Sequence, residues 1–135
     1  MEKNITNLSS HHYEPDNLLA PLTSGSHIVE AMIIVPASMK TVAAIAAGYS
    51  ENLITRAADV QLKEKRKLII VPRETPLHEI HLRNLMILSK LGAIILPAMP
   101  GFYHNPKTVN EMVDFIVGKI LDQIGIKHEL YRKWT

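Results

Sequence analysis

Three stretches of the chain are apolar at nearly every position rather than at alternate ones: 31–36 (AMIIVP), 67–72 (KLIIVP) and 93–97 (AIILP). Continuous apolarity rich in β-branched residues predicts strands buried on both faces, as in a parallel sheet. Each run stops at a proline, which costs little where a ladder is ending. The stretches between them are helical in pattern, so the order is β-α-β-α-β with right-handed crossovers. Residues 4–8 form a weaker strand pattern, followed by a polar loop through His27.

Capping signals predict where the helices start and stop. Ser38 caps a helix over about 39–47, ended by Gly48. Ser50 caps a second through Lys65, with Leu53, Ala57 and Val60 on one face. Thr75 caps a third, with Pro76 at its first position and Gly92 after its end at Leu91. Thr108 and Glu111 form a capping-box pair opening a fourth. There Val109, Met112, Val113, Ile116, Val117, Ile120, Leu121 and Ile124 make one stripe to lie on the sheet, and Gly125 ends it. Three strong strands leave a sheet edge and part of a helix layer uncovered, so the chain calls for something beside it.

Composition narrows the class. The 135 residues suit one domain. Net charge is +2 with dispersed basic residues, so no clustered nucleic-acid face is expected. There is no cysteine, which excludes a disulfide framework and thiolate chemistry and is compatible with the cytoplasm. No apolar run nears the ~20 residues of a membrane span, and the polar N-terminal residues do not resemble a signal peptide.

In an open parallel sheet, ligands bind beyond the carboxyl ends of the strands. That rim gathers Ser38, Met39, Lys40 and Thr41, then Arg73, Glu74 and Thr75, then Gly101, Phe102, Tyr103 and His104. Hydroxyls, cations and helix N-termini together favour a phosphate-bearing ligand over plain capping. Other polar groups have simpler readings. Arg56, Asp59 and Lys63 share a helix face that suits solvated ion pairs. The run 63–67 (KEKRK) suits a solvated helix end, and Lys119 an ordinary surface lysine. His78 and His81 are wrongly spaced for a zinc-binding i, i+4 pair, and no metal is expected.

The segments 36–41 (PASMKT), 52–59 (NLITRAAD), 71–78 (VPRETPLH) and 101–104 (GFYH) resemble successive signatures of the flavin prenyltransferases, the UbiX-like family. The segments 24–26 (SGS), 122–126 (DQIGI) and 132–134 (RKW) are similar to that family's serine-rich segment and tail. The resemblance implies a Rossmann-like (flavodoxin-like) α/β fold with helices on both faces of a parallel sheet. It implies transfer of a dimethylallyl group from dimethylallyl phosphate to N5 and C6 of reduced FMN, giving the cofactor of UbiD-like decarboxylases. Ser38, Met39, Lys40, Thr41 and Arg73 would contact FMN. Tyr103 and Lys119 would bind the prenyl phosphate, with Arg56 and Lys63 as further basic candidates. Glu74 would be the acid/base group, aided by Arg73, and Ser24 and Trp134 would line the site. A homo-oligomer, dodecameric by resemblance, is implied.

The family opens with a strand, a glycine-rich turn that holds FMN, a helix and a second strand. No such turn occurs in this sequence. At roughly 30 residues per β-α unit, about two units are expected to be missing, and residues 1–135 would form the C-terminal two thirds of the family domain. The family's strand order, 3-2-1-4-5-6, places those strands between the weak first strand and the run at 31–36. A separate chain carrying that unit is one expectation, a shortened product another. Two rival functions are a related flavoprotein cysteine decarboxylase and a non-catalytic accessory subunit. The first of these has Ala-Asn where this chain has Met39 and Lys40.

Overall fold

The computed structural model describes residues 5–134. Its elements are β1 (Ala31–Ala37), α1 (Met39–Ala46), α2 (Leu53–Lys63), β2 (Lys67–Pro72), α3 (Glu79–Lys90), β3 (Ile94–Ile95) and α4 (Val109–Gln123), with a 3-10 turn at Pro21–Thr23. The strands form one parallel sheet in the order β1-β2-β3. This is the expected Rossmann-like arrangement. β3 is short as a ladder, but its chain goes on bonding to β2, with Leu96 N–H donating to the Ile70 carbonyl at 2.8 Å and Ala98 N–H to that of Pro72 at 3.0 Å.

The continuous apolar run of β2 is buried on both faces. Leu68 and Ile70 pack with Ile34, Val42, Ile45, Ala58 and Leu88, beneath α1, α2 and α3. Ile69 and Val71 face the opposite way and pack with Ile120, flanked by Ile116 and Ile124 of α4. The period-2 alternation of a strand sends successive residues to the two layers, and both layers are apolar here.

Local chemistry moved several boundaries. Ile5 and Thr6 are helical, and Leu8 N–H donates to the Ile5 carbonyl at 3.0 Å, so 5–8 is a turn rather than the expected strand. Asn4 lies outside the described residues. Asn52, not Ser50, caps α2: its side chain accepts from Thr55 N–H while Thr55 Oγ1 accepts from Asn52 N–H, both at 3.0 Å. Thr75 and Pro76 do not open α3. His78 caps it instead, its Nδ1 accepting from His81 N–H at 3.4 Å, so residues 73–78 form a loop. At α4 the Thr108 hydroxyl accepts from Glu111 N–H at 3.1 Å as expected, whereas Glu111 returns its bond to Lys107 N–H at 2.7 Å. Ser38 caps α1 as expected, and Gly48 and Gly125 follow α1 and α4 at φ +70° and +76°, a region open to glycine without strain.

The apolar stripe of α4 is split. Ile116, Ile120 and Ile124 reach the sheet, but Val109, Val113 and Val117 point away from it and are 73%, 52% and 38% exposed. Val35, near the end of β1, is 56% exposed. The chain exposes 9462 Å², about a third more than the ~7,100 Å² expected of a compact monomer of this mass. Such a chain is expected to associate. Light scattering should give a mass well above 15 kDa at micromolar concentration, and a well-folded monomer would contradict this.

Candidate active-site rim

The carboxyl end of β1 turns into α1 at Ser38. Its Oγ accepts from Thr41 N–H at 3.2 Å and lies 3.1 Å from Thr41 Oγ1, so the two hydroxyls share the first turn. The remaining amides of that turn have no intrahelical acceptor and face the rim. Lys40 is exposed and pairs with Glu51 at 3.1 Å. At the end of β2, Arg73 and Glu74 stand in the loop before α3 rather than at a helix N-terminus. Glu74 Oε1 accepts from Thr75 N–H at 3.1 Å. Both side chains are exposed, and among the described residues Arg73 has no hydrogen-bond or ion-pair partner.

The third cluster lies after β3. Tyr103 meets Phe115 edge-on at 5.9 Å and Trp134 edge-on at 5.4 Å between ring centres. Lys119 Nζ lies 5.6 Å from the ring centre of Phe115 and 5.2 Å from that of Tyr131. The Tyr131 hydroxyl holds the Lys119 pKa above its ordinary value, against a smaller opposing effect of burial. The lysine is therefore a firmly charged cation among aromatic faces, an arrangement favourable in itself. His104 stacks on Phe115 at 5.3 Å, with both ring nitrogens buried and unbonded among the described residues. Tyr103, His104, Asn105, Arg132, Lys133 and Trp134 line a cleft of about 270 Å³. Gly101 makes room for this packing, because a Cβ there would stand 2.9 Å from the Tyr103 ring and 3.1 Å from that of Phe115.

Thus Tyr103, Lys119 and Trp134 come together as one group, Trp134 with most of its surface in solvent. The other basic candidates sit elsewhere. Arg56 pairs with Asp59 at 3.0 Å, as the plain reading of that face expects, and borders a cleft with Leu18, Thr23 and Ser50. Lys63 pairs with Glu64 at 2.6 Å, and both side chains lie against Gly25. Ser24 Oγ bonds to Ser26 Oγ at 2.8 Å. Among the described residues no hydrogen bond, ion pair or ring contact joins Arg56, Lys63 or Ser24 to the Tyr103 group.

Sequence reasoning missed five residues that organise these clusters. Arg66 donates to the Gly25 carbonyl at 2.6 Å and to that of His27 at 3.0 Å, fixing the serine segment. Phe115 and Tyr131 set their rings against Lys119, and Asp122 bonds to both Tyr131 and His128. Phe115 stands four residues before Lys119 and Asp122 three after it, so the helical spacing carried that signal.

Comparison with known proteins gives this site a context. The flavoprotein family matches residues 2–121. A flavin prenyltransferase, UbiX of Halalkalibacterium halodurans, is 58% identical over 122 residues, which is 90% of this chain and 59% of the relative. A dodecameric FMN-dependent UbiX-like decarboxylase from Escherichia coli O157:H7 superposes with a TM-score of 0.96 at 45% identity, covering 98% of this chain and 72% of that one. A UbiX protein in complex with FMN and dimethylallyl pyrophosphate superposes with a TM-score of 0.95 at 41% identity, over 98% of this chain and 71% of that one. The chain belongs to the UbiX-like flavin prenyltransferase family of flavoproteins. It spans about three fifths of the length of the Halalkalibacterium relative. No helix among the described residues is long and apolar enough to cross a membrane.

Proposed function

We propose that this chain supplies the prenyl-donor side and part of the flavin side of an FMN prenyltransferase. The observation that carries the reading is the group formed by Tyr103, Lys119 and Trp134, a fixed cation beside an aromatic wall at the open end of a parallel sheet. That chemistry suits an allylic phosphate ester, whose head is an anion and whose tail is apolar. Its support from relatives is the UbiX protein in complex with FMN and dimethylallyl pyrophosphate.

The residues present fit part of an FMN. The first turn of α1, with the Ser38 and Thr41 hydroxyls and Lys40, offers donors to an anionic or ribityl group. Arg73, without a partner among the described residues, offers a second cation, and Met39 is a partly buried apolar neighbour. Reduced FMN, when bound, supplies the nucleophilic atoms to which the prenyl group is joined. Lys119 and Arg73 neutralise the donor phosphate and the Tyr103 hydroxyl donates to it, favouring departure of the electron pair of the allylic C–O bond with the phosphate oxygen. Glu74, ionised at rest, would take up the proton released where the new bond to the prenyl carbon forms and pass it to the departing phosphate oxygen. Arg56, Lys63 and Ser24 are 103-group residues only if a second copy of the chain brings them there, which fits a homo-oligomer with shared sites. UbiD-like decarboxylases would use the product.

A glycine-rich strand-turn-helix unit would complete the flavin side, beside β1. The purified chain should therefore bind FMN weakly, and adding a strand-turn-helix of that kind in trans should restore flavin absorbance and prenylated FMN on mass spectrometry. Tight stoichiometric FMN binding by the chain alone would show the added unit to be dispensable. Prenylated FMN absent from the flavin-loaded reconstituted protein would count against the prenyltransferase reading itself.

A further inference from the structure

After α4 the chain turns back along the helix it has just left. Asp122, on the last turn, holds it there with both carboxylate oxygens. Oδ1 is 2.9 Å from His128 Nε2, and Oδ2 accepts from the Tyr131 hydroxyl at 2.6 Å. His128 Nδ1 already accepts from Leu130 N–H at 3.2 Å. The hydrogen-bond network thus assigns the ring proton to Nε2, and a neutral imidazole suffices to donate to Asp122. The His128 side chain is only 5% exposed. Gly118, one turn earlier, provides the space: a Cβ there would stand 2.5 Å from the Tyr131 ring and 2.6 Å from the His128 ring. Tyr131 then packs on Phe115 at 5.0 Å and stands over Lys119. Three residues further on, Trp134 reaches Tyr103.

We propose that Asp122 is a positioning residue, a clasp that docks segment 126–134 on α4 and thereby sets both Lys119 and Trp134 around Tyr103. The clasp itself stands on the contacts above. The identity of the anion that Lys119 meets rests on the prenyl-donor reading. Without the clasp, the tail that carries Arg132, Lys133 and Trp134 loses its hold on the cleft wall. Lys119 then loses the tyrosine that orients it. A docked tail also explains why the last turn of α4 ends in an acid: a carboxylate beside the helix C-terminus is unfavourable for the helix alone, and here it has two donors from the tail.

Trp134 is the only tryptophan in the chain, so its fluorescence anisotropy reports tail docking without any assay of activity. Two variants test the clasp in the full chain. Tyr131→Phe keeps the ring and removes the hydroxyl. Gly118→Ala favours the helix but expels the two rings. Circular dichroism should be unchanged in both, and Trp134 anisotropy should fall, further in Gly118→Ala. Inorganic phosphate, titrated against a signal from the protein, should bind about tenfold more weakly to both variants, as expected for one lost charge-assisted contact. Anisotropy equal to the parent in both variants would overturn the clasp. Lower anisotropy with unaltered phosphate affinity would overturn the positioning of Lys119. Phosphate binding by neither parent nor variants would sink the phosphate half of the proposal and weigh against the prenyl-donor reading, while anisotropy would still decide the clasp.

Discussion

Glu74→Gln is expected to leave FMN binding intact while slowing prenyl transfer by roughly 10²–10⁴-fold. The side chains are nearly isosteric, and the one hydrogen bond that Glu74 makes among the described residues is an acceptor bond, from Thr75 N–H. The amide oxygen of glutamine can accept the same bond, so the loop between β2 and α3 keeps its shape. What glutamine cannot do is carry a proton. Glu74 sits next to Arg73, which has no partner of its own among the described residues, in a loop at the rim where the donor phosphate would leave. The expected rate loss is that of a positioned general acid/base, not that of a binding residue. Single-turnover formation of prenylated FMN from dimethylallyl phosphate and reduced FMN, in the reconstituted protein, separates the two. Turnover at the parent rate would make Glu74 a loop-capping residue and remove proton transfer from the proposed role.

The three strong strands were legible in the sequence because they depend on local pattern. The run at 67–72 matches β2 residue for residue, since an apolar stretch without alternation has few other homes. Ser38 and Gly48 bracket α1 for equally local reasons. Errors came where two residues competed for one cap. Asn52 displaced Ser50 because it alone has Thr55 three residues on to return the bond. His78 displaced Thr75, so Arg73 and Glu74 lead into a loop rather than a helix N-terminus: α3 begins at Glu79. The stripe on α4 was visible, but not its division between sheet and solvent, because helical spacing says which residues share a side and not how much surface faces them. The tail was the least legible part. Asp122, His128 and Tyr131 meet only after the chain reverses, and that reversal depends on Gly118, whose role is to be absent from a space that no pattern describes.

The two faces of β2 are expected to respond differently to the same kind of cavity. Leu68 and Ile69 are adjacent and both fully buried. Truncating a buried Leu or Ile to Ala costs about 2–5 kcal/mol, and the spread reflects how far the surroundings collapse into the space. Leu68 is enclosed by the layer made by α1, α2 and α3, where Val42, Ile45, Ala58 and Leu88 are packed around it. Those helices constrain one another, so a cavity there persists. Ile69 faces the other layer, where Ile120 and its neighbours on α4 are the cover and the adjoining Val113 and Val117 are open to solvent. A single helix can settle onto the sheet, so Ile69→Ala should lie toward the lower end of that range and Leu68→Ala toward the upper end. Against a typical total of about 5–15 kcal/mol, the larger loss would remove much of the stability of the chain. It would also loosen the strand that leads into Arg73 and Glu74. Urea unfolding of both variants at one matched protein concentration measures the difference, since association shifts the apparent stability. A cost for Ile69→Ala equal to or above that for Leu68→Ala would mean that the α4 layer is as constrained as the other, with a second copy of the chain packed over Val109, Val113 and Val117 as the physical reason.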